Sequence, residues 1–131
     1  MKKNGFTIVE MLGVLIIMGV LLLIMIPTID SVLLKQRKKL YNEHVVEVKD
    51  ALKLWGDINA DKLPVDSETP TSVTLKELKL EGLIVDEFKN PITDMCYANS
   101  NTFTITLNKK MYVYNVEELR DGKDEDCIVN N

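Results

Sequence analysis

The sequence predicts an α+β fold: one long N-terminal helix followed by a small head built on an antiparallel sheet. Three observations predict it. Between Glu10 and Asp30, 19 consecutive positions carry no charge. Beyond Asp30, the apolar residues Tyr41, Val45, Val48, Leu52 and Trp55 recur at spacings of 4, 3, 4 and 3, which is one stripe of a helix. Further on, Thr102-Phe103-Thr104-Ile105-Thr106-Leu107 alternates polar with apolar residues, as a strand with one buried face does. With 131 residues, the chain has room for one modest domain and an extension, not two full domains.

The uncharged run is the first element. It spans residues 11–29, close to the roughly 20 residues a helix needs to cross a bilayer. Twelve of its residues are Leu, Ile or Val, contributing roughly −4 to −7 kcal/mol to insertion. Gly13, Gly19 and Pro27 weaken a helix in water but are tolerated in a membrane. A secretory signal peptide also begins with basic residues, here Lys2 and Lys3, before an apolar stretch. This stretch is longer than such a peptide needs, no small-x-small cleavage site follows it, and Glu10 precedes it.

The opening residues Lys2-Lys3-Asn4-Gly5-Phe6-Thr7-Ile8-Val9-Glu10-Met11-Leu12 resemble the leader and mature start of type IV pilins and pseudopilins. The features in common are a short basic leader ending in Gly, a Phe at the junction, a Glu five residues into the mature chain, and an apolar helix after it. Pro27 falls where many of these proteins carry a helix-bending proline. The resemblance covers residues 1–30 and is weak beyond. It implies cleavage between Gly5 and Phe6 by a prepilin peptidase and N-methylation of the new Phe6 amine. It also implies partners: other pilins, and an assembly ATPase working through a membrane platform.

The chemistry of Glu10 fits independently. A lone carboxylate in a membrane helix is costly and usually has a partner. After cleavage the Phe6 amine is the nearest cation, and positions i and i+4 share a helix face. That amine can serve Glu10 of its own chain or Glu10 of a neighbouring copy; in the family, the second pairing sets register during filament assembly. The charges flanking the run conflict with this orientation. Lys35, Arg37, Lys38 and Lys39 outnumber Lys2 and Lys3, which by the positive-inside rule places the C-terminal side in the cytoplasm. The leader motif requires the reverse, an N-terminus in the cytoplasm and a head outside.

The second element is the amphipathic continuation. No Gly or Pro interrupts residues 28–55, and Gly56 offers a stop, so one helix is expected from Phe6 to Trp55, a rod of roughly 75 Å bent near Pro27. The expected organisation is therefore a leader at 1–5, a membrane and filament-core helix at 6–29, a stalk at 30–56 and a head at 57–131. The basic cluster at 35–39 suits anionic lipid head groups, an acidic face of another subunit, or a solvated surface. The head carries 15 acidic and 8 basic residues.

Within the head, residues 57–72 are rich in Asp, Pro and Ser and read as a loop. Thr74-Leu75-Lys76-Glu77 is a capping-box pattern opening a short helix that Gly82 ends. Residues 94–98 are a candidate strand. Residues 102–107 form a second, and Met111-Tyr112-Val113-Tyr114-Asn115-Val116 pairs back on it across a turn at 108–110.

Cys96 and Cys127 are the only cysteines, and His44 is the only histidine. Together they supply too few ligands for a zinc centre. With a head outside the cytoplasm, a disulfide between the two cysteines is the economical expectation, and the family commonly staples this region in a similar way. It would stabilise the head by roughly 3–4 kcal/mol in the chain-entropy model. Asp121, Asp124 and Asp126 present oxygen ligands of the kind calcium takes, without the spacing of a full calcium loop.

Enzyme signatures are weak. Glu43-His44-Val45-Val46-Glu47 lacks the second histidine of a zinc protease. Ser31 and Lys35 stand i, i+4, a spacing that chance supplies on a helix surface. No glycine-rich phosphate loop occurs, and an acidic head disfavours contact with a DNA backbone. No catalytic role and no cofactor are expected. The expected function is structural: a subunit of a pilus-like or pseudopilus filament serving secretion, DNA uptake, adhesion or motility. The alternative is a monomeric single-pass membrane protein whose external head binds a ligand or partner.

Overall fold

The computed structural model describes residues 5–129, without the side chains of Pro27 and Thr28. The leader lysines, Lys2 and Lys3, lie outside the described residues, as does the bending role expected of the Pro27 side chain. Helix α1 runs Ile8–Ile58, β1 Thr71–Thr74, α2 Leu75–Leu80, β2 Thr102–Asn108 and β3 Met111–Asn115, with short 3₁₀ turns at Ala60–Lys62 and Asp124–Cys127. The chain divides into two compact units, Met1–Gln36 and Arg37–Asn131.

The first unit is the apolar part of α1. Its large side chains are exposed, Leu15 by 65% and Leu23 by 74%. By length and composition this helix is apolar enough to cross a membrane.

The second unit is the head together with the rest of α1. Its core is the stripe read from the spacing: Val48, Leu52 and Trp55 are buried, and Tyr41 and Val45 pack against them. The helix does not stop at Gly56 but continues to Ile58. A Cβ at Gly56 would stand 3.2 Å from the Tyr114 hydroxyl and 3.3 Å from Leu63 Cδ2, so glycine here makes room for packing instead of ending the helix.

The sheet is antiparallel with order β1-β2-β3. Its register pairs Val73 with Phe103 and Thr71 with Ile105 on one side, and Ile105 with Tyr114 on the other. Because side chains alternate along a strand, Val73, Phe103 and Ile105 share the buried face, while Thr102, Thr104 and Thr106 share the outer one. The third strand corrects the sequence expectation. It is residues 71–74, read as loop and helix cap, and not residues 94–98. Cys96 and Tyr97 instead make isolated bridges to Lys89 and Asp121.

Helix α2 forms as its capping box requires. The Thr74 side chain accepts from the Glu77 N–H at 3.3 Å, and Glu77 Oε2 accepts from the Thr74 N–H at 2.6 Å. It ends at Gly82, whose φ of 71° suits glycine. There the Leu83 N–H donates to Leu78 O and the Gly82 N–H to Lys79 O, a Schellman closure.

Candidate functional site

Thr7 and Glu10 open α1 with a second reciprocal pair. The Thr7 N–H and Oγ1 each donate to Glu10 Oε2 at 2.9 Å, and the Glu10 N–H donates to Thr7 Oγ1 at 3.3 Å. This is a capping box. In the unprocessed chain the carboxylate expected to await an amine is therefore engaged by the helix it belongs to. The signal for this was present in the sequence, since Thr7-x-x-Glu10 repeats the pattern of Thr74-x-x-Glu77. Both donors fall on one oxygen, and Phe6, beside them, is 75% exposed. Gly5 has nothing within 4 Å of where a Cβ would stand. Among the described residues, Glu10 accepts these bonds on Oε2 alone.

In the head, Cys96 and Cys127 form a disulfide, with Cα atoms 5.4 Å apart. It belongs to a broader clasp. The Gly122 N–H donates to Cys96 O at 2.7 Å and the Ala98 N–H to Arg120 O at 2.9 Å. The Asn101 side chain donates to Arg120 O and accepts from the Arg120 N–H. Gly122 comes so close to residue 98 that a Cβ would stand 2.6 Å from the Ala98 Cα.

The acidic turn serves the same clasp. Asp126 accepts from the Asn99 N–H through Oδ1 and from the Lys123 N–H through Oδ2. These bonds to its charged form hold its pKa below the ordinary value. Asp121 accepts from the Asn90 side chain at 2.8 Å. Asp121 and Asp126 thus accept from protein donors. Among the described residues, no group of three or more His, Cys, Asp or Glu stands ready to hold a metal ion. The buried Lys79 donates from Nζ to Asp126 O at 2.7 Å, and burial lowers its pKa, with Asp86 and Asp126 opposing.

His44 has a packing environment. Its Nδ1 lies 3.2 Å from the Tyr97 hydroxyl, and its ring centroid lies 4.7 Å from that of Phe88. Burial pushes the Tyr97 hydroxyl above the ordinary phenol range, with Tyr41 and Asp121 adding to it. An open cleft of about 470 Å³ lies beside Tyr41, Asn90, Leu119 and Arg120. Two pairs of its polar groups bond to one another. Tyr41 Oη accepts from the Leu119 N–H at 3.0 Å, and Asn90 is bonded to Asp121.

A helix of membrane-spanning length followed by a small disulfide-clasped head on a three-stranded antiparallel sheet is a pilin-like α+β fold. The family model described as the prokaryotic N-terminal methylation motif matches residues 1–26, so the chain carries the type IV pilin and pseudopilin signature, which implies processing by prepilin peptidase. No curated protein matches the chain, and no solved structure does.

Proposed function

We propose that this protein is a structural subunit of a type IV pilus-like or pseudopilus filament, not an enzyme. The observation that carries the proposal is the methylation motif at residues 1–26, continuous with a helix that is apolar and exposed along its first unit. The leader faces the cytoplasm and the head lies outside. Prepilin peptidase cuts between Gly5 and Phe6, and the new Phe6 amine is methylated. An assembly ATPase and its platform then extract the subunit. The apolar helices of successive copies cover one another's exposed surface, and a repeated head-to-tail contact that does not close builds a filament. Glu10 sets register by receiving the Phe6 amine of a neighbouring copy on the oxygen its capping box leaves open.

Intact mass of the protein recovered from membranes tests the first step. The mature chain is expected to begin at Phe6 and carry one added methyl group, in a peptidase-dependent manner. An unprocessed chain would return the protein to a monomeric anchored head. Glu10→Gln tests the second step. It keeps the cap acceptor but removes the charge, so the variant is expected to be processed and inserted normally while sheared filaments fall at least tenfold. Unchanged filament yield would remove the pairing role.

A further inference from the structure

We propose that Arg37, Lys38 and Lys39 form a collar that binds the phosphate head groups of anionic phospholipids at the membrane surface. All three are exposed. Among the described residues neither Arg37 nor Lys38 makes an ion pair. Lys39 has one, to Glu43 at 3.9 Å with both side chains more than half exposed, and such a contact is weak and readily exchanged. The charge stands in contrast to the acidic residues 57–131 of the same unit, with their 15 acidic and 8 basic side chains. The collar is therefore a localised cationic feature.

Its place in the chain identifies the partner. The membrane-length apolar run ends at Ile29, eight residues before Arg37, and Asp30 is the one acidic residue between them. The collar thus follows the run within ten positions of chain. Long Arg and Lys side chains extend their charged ends back toward the interface, and the polar zone itself is several Å deep. Basic clusters next to a membrane span attract anionic lipid at roughly 1 kcal/mol, or about fivefold, per residue near the surface. The proposal rests on the membrane-anchored character of the helix and not on filament assembly.

The test uses the full-length protein in nanodiscs of phosphatidylcholine containing a minority of phosphatidylglycerol, with the retained lipid identified by native mass spectrometry. The expected result is about fivefold enrichment of phosphatidylglycerol over its bulk share. It should be lost when salt rises from about 0.1 M to about 1 M, where screening shortens to roughly 3 Å, and lost in the triple variant R37Q/K38Q/K39Q. The control K109Q/K110Q, in the turn between β2 and β3, should retain it. No enrichment, equal enrichment in the triple variant, or equal loss in the control would overturn the proposal. Filament yield that falls in the triple variant while lipid enrichment stays unchanged would also overturn it, by assigning the collar to an acidic face of a neighbouring copy, and would leave the filament reading standing.

Discussion

At the scale of single residues, two positions in the clasp carry testable weight. Gly122 sits where a methyl group would meet the Ala98 Cα at 2.6 Å and the Ala98 N at 2.9 Å, with the Asp126 carboxylate also in the way. Backbone cannot yield as a side-chain end does, so Gly122→Ala should destabilise the head by about 1–3 kcal/mol, seen as a lower melting temperature in near-ultraviolet circular dichroism. Asp126 gives a pH dependence. Its native pKa is depressed, so its stabilisation is present in full above the ordinary carboxylate value near pH 4, and is lost as the pH falls through its lower native value. Melting temperature should therefore drop at acid pH, and D126N should flatten that drop while lowering stability at neutral pH. Asp66, lowered by bonds from Thr69 and Glu68, leaves a residual acid sensitivity in the variant.

At the scale of elements, the hairpin between β2 and β3 is held by an unusual turn. Asn108 pairs with Met111, leaving Lys109 and Lys110 as its two central residues, at φ 46° and 70°. Both lie in the left-handed region that a type I′ turn demands and that Asn-Gly fills at little cost. K109N/K110G should therefore stabilise the head by about 0.5–1 kcal/mol, measured by denaturant unfolding, and no change would mean that other contacts set this turn. The same logic separates the elements that spacing revealed from those it hid. The α1 stripe and the alternation of β2 each repeat often enough to declare a period. Strand β1 is four residues long, too short to show one, and its last residue, Thr74, is also the cap of α2. It becomes a strand because β2 supplies a partner.

At the scale of the whole molecule, the head unit is small and its C-terminal residues have little regular structure. The disulfide ties residues 96 and 127 across a separation of 31 positions. Removing it with C96S/C127S should cost about 3–4 kcal/mol through the greater freedom of the unfolded chain. Because the hydrogen bonds from Gly122, Ala98 and Asn101 remain, the variant should melt earlier but keep its native near-ultraviolet spectrum at low temperature. A variant with no such spectrum would show that the bonds cannot hold the clasp alone.

Features written as local patterns could be read without coordinates. They are the membrane-length run, the N-terminal methylation motif, the amphipathic stripe, the capping box of α2 and the main hairpin. Each depends on a composition or a spacing within a few turns of chain. Contacts between distant residues could not be read in this way. The pairing of β1 with β2, the close approach of Gly122 to Ala98, the use of Asp121 and Asp126 as clasp acceptors, and the seat of His44 against Tyr97 and Phe88 all join residues about 20 to 50 positions apart. Pattern carries no information about which remote segments meet. Packing within the head unit makes that choice, and with it the acidic turn supplies acceptors that fasten the clasp.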